Sequence, residues 1–183
     1  MKTVLWLAVL FAVFIGCIQA EKNEFSDQIN PLIEKDEKTR NEKYKFSFGA
    51  IADCQYCTGP NRGSRHYYSS AGKLNECVAE LNKHDLEFVI HLGDFIDRNY
   101  ASFDKVLPIY QSLKMPAYHA LGNHDFDVAD KWKSKVPERM GMQARYYDFV
   151  LEGWHFIVLD GNDVSFHAYP KDSSEYREAE VYY

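Results

Sequence analysis

The stretch Val89-Ile-His-Leu-Gly-Asp-Phe-Ile-Asp-Arg98 decides how the rest of the chain can fold. The apolar run from Phe88 to Leu92 predicts a buried β-strand, and Gly93-Asp94 follows it directly. Open α/β sheets place their ligand sites at the carboxyl ends of their strands. Asp94 is therefore expected at the functional edge of a sheet.

Two more polar stretches follow apolar runs in the same way. Ile51-Ala-Asp-Cys-Gln55 ends a strand predicted over Lys45–Ala52, and Leu121-Gly-Asn-His-Asp125 ends one predicted over Pro116–Leu121. A helix predicted over Ser70–Lys83, which Ser69 or Ser70 can cap, separates the first two strands, and this order is typical of parallel strands in a βαβ unit. The three strands are expected to deliver their polar ends to one site.

The remaining elements predict a mixed α/β fold with a central sheet, the first of two facing sheets and the one expected to survive in this chain, with the C-terminal half missing. They are a helix over Ser102–Leu113 interrupted by Pro108, a short helix over Asp127–Lys135, a hairpin of Tyr146–Val150 and Trp154–Leu159 turning at Glu152-Gly153, and a capping box at Asp172-Ser-Ser-Glu175. The last helix runs barely two turns before Tyr183, so we expect an N-terminal fragment of a larger domain.

The charge balance argues against one class of partner. The chain has 21 Lys and Arg against 27 Asp and Glu, a net charge of −6, and no long basic run. Nucleic acid is therefore not an expected partner. An anionic phosphate substrate needs a local reversal of sign, which bound divalent metals provide.

Residues 1–20 have the pattern of a signal peptide, with a basic start and the apolar block Val4–Ile15, which is too short to span a membrane. Two processing routes stay open: cleavage after Ile18-Gln-Ala20, or lipidation of Cys17 in a bacterial lipoprotein box; an uncleaved anchor is a third. All three predict export, as a secreted, periplasmic or membrane-anchored protein. Residues 21–45 are predicted to be a polar tether, and residues 46–183 the N-terminal part of the folded domain.

Cys54 and Cys57 have the spacing of a redox or zinc half-motif, but no second Cys pair or His pair accompanies them. Buried or free cysteines are the favoured interpretation. A thiol redox protein is the alternative, and it requires an exposed thiol of low pKa.

The polar strand ends carry a set of hard metal ligands. If the first strand stays extended, Asp53 and Gln55 point to the same face. The Asp94 carboxylate can bridge two cations, and Asn123 can offer a neutral carbonyl oxygen. Oxygen donors of this kind favour Mn, Mg or Fe, with Zn as a further option, and a bridging Asp indicates a two-metal site for water activation.

His124 is the candidate catalytic imidazole, because it can protonate a leaving group or stabilise charge on a transferred phosphoryl group. Either Asp97 or Asp125 could hold its ring in the useful tautomer. Two roles are open for Arg98: it can support the site, or it can be a surface cation paired with Asp97.

Together, Asp53-x-Gln55, Gly93-Asp-x-x-Asp-Arg98 and Gly122-Asn-His-Asp125 resemble the calcineurin-like metallophosphoesterase superfamily. Gln55, where most members have His, makes the chain similar to the manganese-dependent ADP-ribose/CDP-alcohol diphosphatase group. Further similarities to that group lie at Arg65-His-Tyr-Tyr68, Arg145-Tyr-Tyr-Asp148 and Phe156-Ile-Val-Leu-Asp160.

The resemblance implies a sandwich of β-sheets flanked by helices and a two-metal hydrolase of phosphoester or diphosphate bonds. Asp53 and Gln55 would bind the first metal, Asp94 would bridge, and Asn123 would bind the second. His124 would be catalytic, assisted by Asp97 or Asp125. Manganese is the favoured ion for both positions, and the expected substrate is nucleoside-diphosphate-linked, such as ADP-ribose or a CDP-alcohol.

Family members complete both metals with a later His and a Gly-His-x-His segment, whereas His155 and His167 are the only downstream histidines here. These 183 residues are therefore expected to bind metal weakly and to turn over little substrate. A phosphomonoesterase or protein phosphatase of the same superfamily is the first alternative, and a non-catalytic exported binding protein is the second.

Substrate contacts are expected in the Gly-rich loop after the first motif. Arg62 and Arg65 could contact a diphosphate, and Tyr67 could stack on a base, as could three other aromatic residues. These aromatics are Tyr68, Phe126 and Tyr147.

Overall fold

The computed structural model describes residues 46–182. Its centre is a parallel sheet of three strands, β1 (Gly49–Ile51), β2 (Val89–His91) and β3 (Ala117–His119), which lie side by side in chain order. All three predicted strands are confirmed, although each is shorter than its apolar run. The carboxyl ends of the strands meet at one edge because parallel pairing aligns them.

The two faces of the sheet are covered by different layers, because successive residues of a strand point to opposite sides. On one side, Val89 packs with the helices α1 (Ser70–Leu81) and α2 (Phe103–Tyr110). On the other, Phe88 and Ile90 form a smaller apolar cluster with Val158 and the aromatic residues of the hairpin. The sheet is therefore sandwiched between helices and a second sheet.

The second sheet is the hairpin of β4 (Tyr147–Leu151) and β5 (Trp154–Val158), paired antiparallel. Its turn residues Glu152 and Gly153 both have positive φ, 48° and 79°, as a two-residue type I′ turn requires. Phe149 stacks on Tyr118 of β3, with ring centroids 4.2 Å apart. This stacking fixes the hairpin against the parallel sheet.

The helices begin differently from the sequence prediction. Neither Ser69 nor Ser70 caps α1, since their hydroxyls donate to the carbonyls of His66 and Tyr67. The reason is that a 3₁₀ turn over Tyr67–Ser69 runs directly into the helix.

Two other helical predictions change in detail. The single helix predicted over Asp127–Lys135 is replaced by α3 (Asp130–Lys133) and α4 (Val136–Arg139). Pro137 lies in the first turn of α4, where the missing backbone N–H of proline breaks no helical hydrogen bond. The last helix, α5, spans Ser174–Glu180.

The cap of α5 is Ser173, whose hydroxyl accepts a hydrogen bond from the backbone N–H of Tyr176. The predicted capping box at Asp172–Glu175 therefore lies one residue too early. The helix α2 begins at Phe103, continues through Pro108 and ends at Tyr110.

The predicted signal peptide, the lipidation site at Cys17 and the polar tether over residues 21–45 lie outside the described residues. Within residues 46–182, no helix is long and apolar enough to cross a membrane.

Candidate functional site

The loops that follow β1 and β2 run side by side beyond the sheet. The backbone N–H of Asp53 donates to the carbonyl of Gly93 at 3.2 Å, and that of Gln55 donates to the carbonyl of Asp94 at 2.8 Å. The parallel ladder thus continues past the strands, in a less regular form. This pairing brings the first two polar stretches of the sequence to one place.

Three of the predicted ligands have left-handed backbone conformations. The φ angles are 57° at Asp53, 45° at Gln55 and 56° at Asp94. The prediction of an extended strand end over Asp53–Gln55 is therefore wrong, because β1 ends at Ile51. Such conformations cost of order 1–3 kcal/mol each and are typical of functional loops, where the surrounding structure holds them in place.

The side chains of these residues nevertheless converge. The Gln55 amide lies 3.2 Å from Oδ2 of Asp94 and 3.4 Å from Oδ1 of Asp53, and its Nε2 donates to both. A half turn of the amide would present its carbonyl oxygen to the same point. Two carboxylates and one amide oxygen then face one small volume, which is a donor set that suits a hard divalent cation.

The electrostatics of Asp53 support a cation at this point. Burial raises the pKa of its carboxyl, and the neighbouring Asp94 carboxylate raises it further, whereas His124 and Arg65 lower it. A neighbouring negative charge disfavours the ionised form of a carboxyl group. A bound cation would remove that penalty, so the residues present fit a metal ion.

The loops after β2 and β3 are in direct contact. A side-chain carbon added to Gly93 would lie 2.6 Å from the backbone nitrogen of Gly122, so neither residue has room for a side chain. The backbone N–H of His124 donates to Oδ1 of Asp94 at 2.9 Å. The glycine before Asp94 thus allows the two backbones to approach closely, and the His124 N–H joins the third loop to the predicted bridging carboxylate.

Asp125 has a role that the sequence did not reveal. Its carboxylate is fully buried and accepts hydrogen bonds from four backbone N–H groups, those of Asp94, Phe95, Ile96 and Gly122. Burial raises its pKa to about 7, although the backbone donors lower it. Asp125 therefore clamps two loops together and does not orient the His124 ring.

The carboxylate beside the His124 ring is that of Asp97. Oδ1 of Asp97 lies 3.5 Å from Nδ1 of His124, and Asp97 is only 1% exposed. Nε of Arg98 lies 3.6 Å from the same oxygen. Of the two carboxylates expected to assist His124, the structure brings Asp97 to it.

Arg98 combines both roles expected for it, since it pairs with Asp97 and lies at the site. Its guanidinium donates to the hydroxyl of Tyr67 at 3.0 Å and lies 4.7 Å above that ring. Tyr67 is 3% exposed, so its ring is not free to stack on a ligand. Tyr67 is linked to the site through its contact with Arg98.

The other residues predicted to contact metal or substrate lie at the edge of the site. Asn123 is exposed beside the site, and its side chain does not cap the 3₁₀ turn that follows. Arg62 and Arg65 are exposed and pair through their backbones across a tight turn. Of these two arginines, Arg65 is the one that lowers the pKa of Asp53.

Asp127 was not predicted to belong to the site. One carboxylate oxygen of Asp127, one of Asp97 and one imidazole nitrogen of His124 all lie within 4.8 Å of one another. The signal was present in the sequence, because Asp127 stands three residues after His124 at the end of the same motif. A turn of 3₁₀ helix over His124–Phe126 brings Asp127 back toward His124.

The cysteines of the described region have no redox geometry. Cys54, Cys57 and Cys77 are all unpaired. Burial raises the pKa of the Cys54 thiol to about 12, and Cys57 is 1% exposed. Redox chemistry requires an exposed thiol of low pKa. Cys54 lacks the low pKa and Cys57 lacks the exposure, so the buried-cysteine interpretation holds.

Comparisons with known proteins agree with this geometry. A family model described as calcineurin-like phosphoesterase matches residues 46–179. The chain is 34% identical over 142 residues to the manganese-dependent ADP-ribose/CDP-alcohol diphosphatase of Oryza sativa subsp. japonica, covering 69% of this chain and 44% of that protein. The Homo sapiens protein of the same name is 29% identical over 186 residues, covering 83% and 53%.

A solved structure has the same fold. The crystal structure of a dimetal phosphatase from Danio rerio matches with a TM-score of 0.64 and 23% identity, covering 74% of this chain and 50% of that one. The chain spans about half the length of the curated relatives it matches.

Proposed function

The chain belongs to the calcineurin-like phosphoesterase family, and on that premise we propose that it serves a metal-dependent hydrolysis of phosphoester or diphosphate bonds. The observation that carries the proposal is the convergence on Asp94, whose carboxylate contacts the Gln55 side chain and the His124 backbone. Three separate loops meet there. The relatives named ADP-ribose/CDP-alcohol diphosphatase support a nucleoside-diphosphate-linked substrate.

Asp53, Gln55, Asp94 and Asn123 are the residues that would hold divalent ions, two in number, with Asp94 shared between them. Manganese is the proposed metal because the donors are hard oxygens and the named relatives are manganese-dependent. When bound, such ions activate water and neutralise charge that develops on phosphorus. Mg, Fe or Zn are the alternatives.

His124 is the proposed proton donor to the leaving group. Asp97 lies on the Nδ1 side of the ring, so a proton on Nδ1 is stabilised there and Nε2 is left to face the substrate. When both ring nitrogens carry protons, the ring can donate its Nε2 proton to the leaving group. Arg98, held by Tyr67, places a positive charge next to this pair.

The substrate phosphates are proposed to approach over the loop of Arg62 and Arg65. Both guanidiniums are exposed, and Arg65 is close enough to influence Asp53. A diphosphate bridging the cations and Arg65 would be held at both ends by positive charge. Tyr67 contributes indirectly, by orienting Arg98.

Export to the cell surface or beyond belongs to the same proposal, on the strength of the pattern in residues 1–20. Cell fractionation of the native protein and of a Cys17→Ser variant tests it. Membrane recovery that is lost in the variant supports the lipidated form, and recovery of both proteins in the cytosol rejects export.

The activity is tested on the full-length product of the gene, supplied with Mn²⁺ and assayed on ADP-ribose, CDP-choline and p-nitrophenyl phosphate. We expect the two diphosphates to be cleaved preferentially and the Asp94→Asn variant to lose the activity. Asp85→Asn is the matched control, since Asp85 is an exposed acid before β2, away from the site. Dominant hydrolysis of p-nitrophenyl phosphate would reject the diphosphatase assignment, and a biological role intact in Asp94→Asn would favour a binding protein.

A further inference from the structure

A polar network centred on Arg145 contacts both ends of the loop that carries Asn123 and His124. Arg145 precedes β4 and its partner Asp160 follows β5, so the antiparallel hairpin brings the two together. Nε of Arg145 donates to Oδ2 of Asp160 at 2.5 Å. The Asp160 side chain has no exposed surface, so this charge-assisted hydrogen bond is shielded from water on the carboxylate side.

The first end of the loop is held through Asn162. Oδ1 of Asp160 accepts hydrogen bonds from the backbone N–H of Asn162 at 2.9 Å and from its side-chain amide at 2.7 Å. The same amide nitrogen donates to the carbonyl of Leu121 at 3.4 Å. Leu121 directly precedes Gly122, which lies against Asp94. The network therefore contacts the loop shortly after β3.

The second end of the loop is held by the Arg145 guanidinium itself. Its central carbon lies 5.4 Å from the ring centroid of Phe126 and 5.4 Å from that of Tyr169. A guanidinium over an aromatic ring is attracted to it by a cation–π interaction. Because Phe126 is 2% exposed and belongs to the same 3₁₀ turn as His124, the packing of its ring fixes where that turn lies.

All three guanidinium nitrogens of Arg145 have partners, which fixes the orientation of the group. Nη1 donates to the hydroxyl of Tyr169 at 3.2 Å, and Nη2 lies 3.1 Å from Oδ1 of Asp163. The Tyr169 hydroxyl donates to the same oxygen of Asp163 at 2.9 Å. An ammonium group at this place would offer no flat face to the rings. The contact with Phe126 thus depends on the shape of arginine as well as on its charge.

Asp125 joins this loop to the loop after β2, whereas the Arg145 network joins it to the residues around the hairpin. We propose that Arg145 is a positioning residue: by holding Leu121 and Phe126, it keeps the loop between them in place. The His124 side chain is thereby kept at the site. The proposal deepens the proposed function, and it rests on that function only in treating His124 as part of the catalytic site.

Arg145→Lys tests the proposal, since it keeps a positive charge beside the buried Asp160 and removes the flat guanidinium. A second variant, Asn162→Ala, removes the donor to the Leu121 carbonyl without touching Arg145, so the test does not depend on one protein folding. Arg139→Lys is the matched control. Arg139 also pairs with one aspartate, but it does so on the exposed surface of α4.

Hydrogen exchange resolved to single amides is measured on the full-length gene product, without metal or substrate. The amide of His124 donates to Asp94 and reports on the loop. The amide of Leu92 lies in the hydrogen-bond ladder of the parallel sheet and reports on the fold. We expect Arg145→Lys and Asn162→Ala each to speed exchange at His124 by about tenfold or more, because the loop opens locally, and to leave Leu92 unchanged.

Equal acceleration at His124 and Leu92 would indicate a global loss of stability and would overturn the positioning role. So would exchange at His124 that matches the Arg139→Lys control. In hydrolysis of ADP-ribose with Mn²⁺, Arg145→Lys should lower kcat by about tenfold and keep KM within about twofold, whereas a rise in KM alone would contradict the proposal. Because exchange is measured without turnover, a full-length protein that hydrolyses nothing would reject the proposed function and leave the exchange test decisive.

Discussion

Gly122 lies directly against Asp94, so that a side-chain carbon on Gly122 would fall 2.1 Å from Oδ1 of Asp94 and 2.3 Å from its backbone nitrogen. No side chain can occupy that space without moving the proposed bridging carboxylate. The glycine is required for room and not for its conformation, because its φ is outside the left-handed range that favours glycine. The loops after β2 and β3 depend on this contact.

Gly122→Ala should destabilise the protein by about 2–3 kcal/mol, since the added methyl group displaces backbone that cannot yield. It should also weaken Mn²⁺ binding, because Asp94 moves. Urea unfolding and isothermal titration with Mn²⁺ measure the two effects. Gly72→Ala is the matched control: Gly72 lies in α1 with open space around it, and alanine there should stabilise by about 0.5–1 kcal/mol. Equal effects of the two changes would contradict the steric argument.

Asp125→Asn should cost about 3 kcal/mol of unfolding free energy. The substitution keeps the size of the side chain but turns one acceptor into a donor that faces backbone N–H groups, which leaves buried partners unsatisfied. The exposed Asp127→Asn serves as the control and should change stability by less than about 0.5 kcal/mol. If Asp125→Asn is as mild as the control in urea unfolding, the carboxylate is not a clamp.

His119 should make stability fall as the pH is lowered. Burial lowers the pKa of His119 from 6.5 to about 4. Between these two pH values the unfolded chain binds a proton at His119 and the folded chain does not. Between pH 7 and pH 4 the unfolding free energy should drop by about 3 kcal/mol from this group alone. The raised pKa of Asp125 acts in the opposite direction, since it favours the folded state at low pH.

The comparison with His119→Phe isolates the histidine. The ring lies 4.7 Å from Tyr110 and 5.3 Å from Phe95, so an aromatic replacement suits the environment. The difference in unfolding free energy between native protein and variant should shift by about 3 kcal/mol from pH 7 to pH 4. NMR titration of His119 checks the pKa directly, and a value near 6.5 would rule the explanation out.

Gln55→His should change the metal preference from manganese toward zinc. An amide oxygen is a hard donor and imidazole is softer, so the ratio of Zn²⁺ to Mn²⁺ affinity should rise by about tenfold or more. Gln55→Ala is the reference, because it removes the donor and should weaken both ions without a change of preference. A ratio unchanged in Gln55→His would place Gln55 outside the coordination sphere.

Much of the architecture could be read from the sequence because it depends on local patterns. The apolar runs before Asp53, Asp94 and Asn123 predicted the three strands, and Glu152-Gly153 predicted the hairpin turn; all of these are confirmed. Such features need only the alternation of apolar residues and the conformational freedom of glycine.

What escaped prediction depends on contacts between distant residues. The clamp at Asp125 joins backbone groups about thirty positions away in the chain, and no local pattern distinguishes it from a carboxylate that holds His124. The left-handed turn at Gln55 likewise follows from pairing with the loop of Asp94. Propensity alone would have kept that segment extended.

The clamp of Asp125 has a practical consequence for finding ligands. One buried carboxylate holds both loops that bear Asp94 and Asn123, so the space between them is formed only in the folded protein. Any ion or substrate that binds there is therefore thermodynamically linked to unfolding. A ligand at one hundred times its dissociation constant adds about 2.7 kcal/mol to stability by mass action alone. Thermal melting curves therefore become a screen for cations and nucleotides that requires no knowledge of the reaction.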